Sequence, residues 1–378
     1  MSILTEDQLS MQKMVREFSR KEIAPKAAEY DRTEKFPWDN VKKMADMGLM
    51  GLPVPEVYGG AELDAVSYMI AVEEISKGCA STGAILAVHT SAGIMPILLF
   101  GTEEQKQKYI PDLASGDKVG AFALTEPDAG SDASRVRTTA VLDGDEYVLN
   151  GSKCFITNGE AAETYTVFAT VDKSKGTKGI TAFIVEKGTT GFSFGKKEEK
   201  MGIRASSTTE LIFENCRIPK GNLIGKIGEG FKIAMIVLDS ARIGIGAQSI
   251  GIAQAAYEEA LQYAKVRVQF GKPIASLQAV SFMLADMAIE IEAARHLVYH
   301  AAMLKDAGVP YGKEAAMAKT FASDVAVKVA LNAIQIMGGY GYSREYPVER
   351  LLRDAKVTQI YEGTNQIQRV VIAGYILK

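Results

Sequence analysis

With 378 residues and 43 Lys and Arg against 46 Asp and Glu, the net charge is -3, which supplies no field to collect a polyanion, and no nucleic-acid motif or long basic run is present. Hydrophobic residues at 47% and charged residues at 24% exclude disorder and allow a sizeable core, divided at this length into two or three substructures. Cys79, Cys154 and Cys216 stand apart without C-x-x-C spacing, which excludes a disulfide framework or a metal knuckle and leaves buried free thiols in a reducing compartment.

The opening MSILTEDQLSMQKMVREF has neither an apolar h-region nor an acid-poor basic leader, so a cytoplasmic location is expected. Thr5 with Gln8 forms a capping-box pattern, and Met11, Met14, Val15 and Phe18 follow the helical period. Further helical patterns run from Val41 to Met47 and from Leu63 to Ile75, separated by the breaker run Gly51 to Gly60. The apolar stretch Ala80 to Phe100 includes Ser81, Thr82, His89, Thr90, Ser91 and Pro96, which are costly in lipid; it reads as a buried helix, without membrane insertion. Thr102 with Gln105 repeats the helix-start signal.

From Val119 the texture changes to short runs rich in Val, Thr, Phe and Ile: TTAVLDGDEYVLNG, TYTVFATV, GITAFIVEK and TTELIFENCRI. These read as strands, and Asp143-Gly144 marks a hairpin. After Gly225 long helical patterns return, over Gly230 to Phe270, Leu277 to Asp306, Lys313 to Met337 and Gln366 to Leu377. The expected fold is α+β: an N-terminal helical domain (1–118), a middle antiparallel β-domain (119–225) and a C-terminal four-helix bundle (226–378). That order argues against a dinucleotide-binding βαβ unit, and Gly225-Lys-Ile-Gly228-Glu-Gly230 has the wrong glycine spacing for one.

Much familiar chemistry is missing. His296 and His300 are four apart, but Leu297 stands where a zincin needs its Glu, so no metal site is expected. There is no G-x-S-x-G elbow and no Walker A. Hard chemistry would need an organic cofactor. Four segments are poor choices for ordinary packing: ALTEPDAGSD (123–132), KCFITNG (153–159), QIMGGYGYSREYPVER (335–350) and QIYEGTNQIQR (359–369). Taken singly, the first reads as a solvated turn and the second as a strand end whose Thr157 hydroxyl donates to a ring atom or to backbone.

Together with Arg267-Val-Gln-Phe-Gly271, and in this order, these segments resemble the acyl-CoA dehydrogenase family across essentially the whole chain. The resemblance implies FAD, with Phe122, Ala123, Leu124, Thr125, Gly130, Ser131, Phe155, Ile156 and Thr157 lining the flavin and Thr157 near its N5. It also implies that Arg267, Phe270, Gln278, Gln335, Ile336, Met337, Gly338 and Gly339 hold the diphosphate or adenosine side, partly from a neighbouring subunit of a homotetramer. Thr364, Asn365 and Gln366 resemble flavin-contacting residues, while Ser131, Asp239, Ser240, Ala241, Arg242 and Gly363 resemble substrate contacts. Phe155 stands where many relatives carry Trp.

A thioester α-proton is very weakly acidic and an ordinary Glu has a pKa of about 4.3, so its removal demands a desolvated carboxylate and enolate stabilisation. Glu362, followed by Gly363, fills the role of base in the resemblance, with β-hydride passing to flavin N5. The backbone N–H of Glu362 and a ribityl hydroxyl would hold the enolate oxygen. Isovaleryl-specific relatives carry the base on the preceding helix, but here that position is Ala241. Arg242 is expected to orient or tune Glu362, or to pair with Asp239. Butyryl-CoA, oxidised to crotonyl-CoA, is the leading substrate and electron transfer flavoprotein the expected oxidant. A branched short-chain substrate, an acyl-CoA oxidase and a non-catalytic acyl-CoA-binding protein are the alternatives. Physiological direction depends on the redox partner.

Overall fold

A computed structural model of the chain describes residues 4–377. Seven helices come first: α1 (Glu6–Phe18), α2 (Ala27–Thr33), α3 (Trp38–Asp46), α4 (Ala65–Gly78), α5 (Ala80–Val88), α6 (Met95–Phe100) and α7 (Glu103–Ser115). Both expected capping boxes form: the Gln8 N–H donates to Thr5 Oγ1 at 3.2 Å while the Thr5 N–H donates to Gln8 Oε1 at 3.0 Å, and Thr102 and Gln105 repeat the exchange at 3.2 and 2.9 Å. Gln105 also donates its amide to the carbonyls of Gly221 and Leu223, tying α7 to the far end of the sheet.

The middle region holds β1 (Gly120–Ala123), β2 (Thr139–Asp143), β3 (Glu146–Thr157), β4 (Thr164–Thr170), β5 (Ile180–Glu186), β6 (Phe192–Lys197), β7 (Thr208–Pro219) and β8 (Leu223–Ile224). They form one sheet in the order β6-β7-β3-β2-β4-β5-β8, with β1 beside β4. Asp143 and Glu146 face each other across the hairpin read from Asp143-Gly144. The sheet is antiparallel as expected except where β4 meets β1 and touches β2, both parallel. The β2–β3 hairpin lies between β1 and β4 in sequence and supplies the long crossover a parallel pair needs.

The C-terminal region is built from α8 (Gly230–Val266), α9 (Gln278–Asp306), α10 (Gly312–Met337), α11 (Val348–Thr358) and α12 (Asn365–Ile376). Helix α8 stops at Val266 rather than running to Phe270. The chain there folds into a hairpin, β9 (Val268–Gln269) with β10 (Lys272–Pro273), whose two turn residues Phe270 and Gly271 both have positive φ, 52° and 74°. That is the two-residue turn that matches strand twist, and Phe-Gly is a weak signal for it beside Asn-Gly. Helix α11 is a further element, lying mostly between the motif segments 335–350 and 359–369, for which no helix was expected. Three helical stretches, Ala80–Phe100, Gly230–Val266 and Gly312–Tyr340, are long and apolar enough to cross a membrane by length and composition, but 83%, 78% and 50% of their apolar windows is buried within the protein.

The N-terminal helices meet the sheet at a tight junction. The π-helical turn His89–Ile94 brings Gly93 so close to Gly120 of β1 that a Cβ on either would lie 2.8 Å from the other's backbone. His89, fully buried, accepts from the Gly120 N–H through Nδ1 at 3.0 Å and reaches the Leu113 carbonyl through Nε2 at 3.0 Å. Burial pushes its pKa down to about 4, so it is a neutral Nε2–H imidazole stapling helix to strand. Replacing Gly120 by Val should force these backbones apart and cost about 3 kcal/mol, read as a lower denaturant midpoint, whereas a midpoint equal to that of the unsubstituted protein would show that the junction yields freely.

Candidate active site

Strand β3 pairs with β7 until its register shifts between Lys153 and Ile156. At that bulge Phe155 takes a positive φ of 56°, which turns its ring outward to 64% exposure, while Ile156 stays buried in the sheet core. Bulges of this kind re-aim a side chain. Cys154 donates its N–H to the Thr125 carbonyl at 3.0 Å, so the loop after β1 is bound to the bulge. Beneath the contact Lys153, fully buried, donates to Glu126 Oε1 at 2.6 Å and to the Leu124 carbonyl at 3.2 Å. Glu126 also accepts from the Arg137 and Thr138 N–H groups. Burial lowers the Lys153 pKa to about 8 against the pull of Glu126; Glu126 itself, although burial raises it, is held below the carboxylate range by Lys153 and those donors. The segments 122–131 and 153–157 are thereby one unit, presenting Phe155, Thr157 and the exposed Gly130-Ser131 backbone.

Glu362 occupies the corner between α11 and α12. Its φ of 54° is left-handed, a conformation costing about 1 kcal/mol for a residue with a Cβ, and Gly363 continues it at 94°. The corner is clamped. Gln368 donates to the carbonyls of Glu362 and Gly363 at 3.1 and 3.0 Å, and Lys319 of α10 donates to the Gly363 carbonyl and to Asn365 Oδ1, each at 2.8 Å. Thr364 caps α12 by accepting from the Ile367 N–H. A Cβ on Gly363 would lie 2.6 Å from the Gln368 amide nitrogen, so both the backbone conformation and the clamp require glycine there.

The residue as a whole is partly exposed, but the Glu362 Oε2 is sealed from solvent and has no hydrogen-bond partner among the described residues. Burial raises its pKa to about 7, against the opposing attraction of Arg242 and Lys319. Arg242 is itself buried; it bonds Asp239 within α8 but keeps a buried Nε without a partner among the described residues. An orphaned carboxylate oxygen and an orphaned guanidinium nitrogen at one site are rare in a packed interior and mark a place prepared for a ligand. Around them stand Tyr361, whose hydroxyl bonds Gln248, and Tyr68, whose hydroxyl donates to the Ala87 carbonyl and whose pKa burial raises.

The remaining expected residues fall into two groups. Thr364, Asn365 and Gln366 line a cavity of about 450 Å³ beside Asp324, Lys356, Gln359 and Arg369. The Asn365 side chain, however, is fully engaged with Lys319, Ser323 and Asp324. Ser240 accepts from Lys305, Ala241 is buried, and the side chains of Ala123 and Ile156 lie in the sheet core, leaving backbone for any ligand contact. The second group lies at the other end of α10: Arg267 stacks 5.5 Å from the Tyr340 ring centroid, beside the exposed Gln335, Gly338 and Gly339, while Ile336 and Met337 are buried. Phe270, 89% exposed, and Gln278 stand on the adjoining hairpin and helix start. Lys319 and Met337 are 18 residues apart on α10, roughly 27 Å at the helical rise.

Lys153, Glu126 and Gln368 lie in the motif segments without a role given to them there, and Lys319 escaped the residue reading. The signal was present for Lys319, which falls on the buried stripe Ala315, Ala318, Ala322 and Ala326 of α10, where a lysine needs a reason.

The protein is thus a helix–sheet–helix molecule with a carboxylate oxygen sealed from solvent, and without a partner among the described residues, at a strained corner. Family models for the acyl-CoA dehydrogenase N-terminal, middle and C-terminal domains match residues 5–117, 121–216 and 228–377. The chain is 56% identical to the short-chain specific acyl-CoA dehydrogenase of Clostridium acetobutylicum, covering 99% of both. It superposes on butyryl-CoA dehydrogenase from Megasphaera elsdenii with a TM-score of 0.98 and 50% identity, covering 100% of both chains. A chain in a structure of the electron transferring flavoprotein of Acidaminococcus fermentans matches with a TM-score of 0.99 and 56% identity over 100% of each. The chain belongs to the acyl-CoA dehydrogenase family and is an FAD-dependent oxidoreductase. The residues present fit that cofactor: an aromatic ring turned outward at a bulge, exposed loop backbone, and a polar cavity lined by Ile360 and Thr364 on either side of the Glu362 turn.

Because Glu362 holds its proton to about pH 7 when folded but only to its ordinary 4.5 when unfolded, the unfolded state has fewer protons between these values and stability falls as pH rises through that window. Glu362→Gln removes the penalty. The flavin-containing variant should match the native protein near pH 4 and exceed its stability by roughly 3 kcal/mol at pH 8; an equal gap at both pH values in denaturant titrations would contradict a raised pKa.

Proposed function

We propose that this enzyme oxidises the Cα–Cβ bond of short straight-chain acyl-CoA thioesters, butyryl-CoA to crotonyl-CoA, with Glu362 as the base that removes the α-proton. The observation that carries the reading is the Glu362 carboxylate: one oxygen sealed from solvent without a partner among the described residues, and a pKa raised by desolvation to about 7. A base poised near neutrality takes a proton far better than an ordinary carboxylate while remaining ionised in a useful fraction of molecules. The similarity to the butyryl-CoA and short-chain specific enzymes supports the chain length.

Arg242 bears on Glu362 as a cation from α8 and favours its ionised form, offsetting part of the burial. The clamp on the Glu362 and Gly363 carbonyls holds the main chain still while the carboxylate gains its proton. Bound FAD supplies the acceptor for the hydride that leaves Cβ. Phe122 to Thr125, Gly130, Ser131 and Phe155 to Thr157 would hold its flavin, with Thr364 to Gln366 beside it. Ser131, Asp239 to Arg242 and Gly363 would meet the thioester.

The group around Arg267 and Gln335 to Gly339 would serve the cofactor of a neighbouring copy, since it lies a helix length from Glu362. Exposed Phe282 and Ile289 on α9, Leu331 on α10 and Val370 and Ile376 on α12 support an assembly, read as a homotetramer. Electron transfer flavoprotein is the proposed oxidant, supported by the match to a chain in a structure of that protein.

Anaerobic butyryl-CoA should bleach the flavin of the native protein within seconds and leave Glu362→Gln essentially unbleached, a loss of at least about 10³-fold in rate. Equal bleaching of both would demote Glu362, and faster bleaching by octanoyl-CoA than by butyryl-CoA would overturn the chain-length reading.

A further inference from the structure

Lysine is almost never fully buried unless it is partnered, yet Lys319 has no exposed surface and no carboxylate bonded to it among the described residues. Its two partners are a main-chain carbonyl and a neutral amide oxygen, both belonging to the turn that carries Glu362. If packing were the whole purpose, an apolar residue of similar volume would serve α10 at lower cost. What an apolar residue cannot do is hold that turn.

The bonding around Asn365 has one direction. Its amide oxygen accepts from Lys319 at 2.8 Å, and its amide nitrogen donates to Asp324 at 2.8 Å and to Ser323 Oγ at 2.9 Å; a flipped amide would set nitrogen against the ammonium and oxygen against the carboxylate. Asp324 is fixed in turn by Gln359 and Arg369. Lys319 therefore stands on a rigid base and grips the Gly363 carbonyl, while Gln368 grips the same carbonyl and that of Glu362. The left-handed corner would otherwise relax toward the conformation its Cβ prefers.

We propose that Lys319 is a positioning residue for proton removal, fixing the Glu362–Gly363 corner from α10 so that the carboxylate is presented in one direction. The inference rests on the reading of Glu362 as the base. The ammonium also bears on that carboxylate electrostatically: burial lowers the Lys319 pKa to about 7, and Glu362 opposes the fall. Among the described residues the other charged or titratable groups about the corner are Arg242 from α8 with its partner Asp239, Tyr68 from α4, Tyr361 beside Glu362, Asp324 on α10 and Arg369 from α12, and none of them is removed by changing Lys319.

The test uses the flavin-containing enzyme and two variants, Lys319→Met, which removes donor and charge, and Lys319→Gln, which keeps a donor for the Gly363 carbonyl. Anaerobic stopped-flow bleaching with butyryl-CoA gives a limiting rate and an acyl-CoA dissociation constant for each. Lys319→Met should lose roughly 30- to 100-fold in limiting rate while binding changes less than about threefold, because a misaimed base fails at the transition state and not in binding. The pH midpoint of its limiting rate should rise, as a carboxylate does when a neighbouring cation is removed. Lys319→Gln should regain most of the rate, to within about fivefold of native. A Lys319→Met rate within about threefold of native, beside an inert Glu362→Gln, overturns this inference alone. So does parallel loss of rate and binding, or failure of both Lys319 variants to hold flavin, since either result makes the residue structural. Native-like bleaching by Glu362→Gln overturns the base assignment and this inference with it.

Discussion

The corner at Glu362 and Gly363 is the constraint about which the rest of the molecule is arranged. It combines two unfavourable states, a left-handed residue with a side chain and a carboxylate oxygen removed from water without a partner, which together cost a few kcal/mol and persist only where the surroundings over-determine them. Those surroundings are drawn from separate parts of the chain: Arg242 from α8, Lys319 from α10 and Gln368 from α12. The long helices thus act as a frame for one short turn. Their regularity lets two donors, Lys319 and Gln368, and one cation, Arg242, converge on it without further strain.

On the sheet side the same logic is carried by an ion pair. Lys153 and Glu126 are both buried, and their bond joins the bulge of β3 to the loop after β1. Removing one partner from such a pair leaves an uncompensated charge in the interior, so the two segments move together or not at all. The bulge turns Phe155 outward while Ile156 remains in the core, which gives one strand both a packed face and a presented ring. His89, neutral because it is buried, then fastens this sheet to the N-terminal helices through the Gly120 N–H.

The expected helix starts at Thr5 and Thr102 are present because capping depends on residues three apart, and such contacts are written locally. The Asp143-Gly144 hairpin is present for the same reason. Helix α8 stops four residues short of the expected end because its terminus is set by the paired positive-φ turn at Phe270-Gly271, for which Phe is an uninformative residue. The motif segments could be named from their order along the chain, but which of their side chains are free was hidden. Asn365, Ala123 and Ile156 lie in those segments and Ser240 is an expected substrate contact, yet their side chains are engaged or packed in the core.

By itself the sequence determined the helix–sheet–helix order, the capping and hairpin signals, the family resemblance and Glu362 as the candidate base, because each is carried by residue type and short spacing. Only the tertiary structure decided that Glu362 is desolvated, that Lys153 meets Glu126 27 residues away and that Lys319 meets Gly363 across 44. Burial and convergence depend on how distant segments pack, and a lysine on an alanine stripe reads the same along the chain whatever it meets across it.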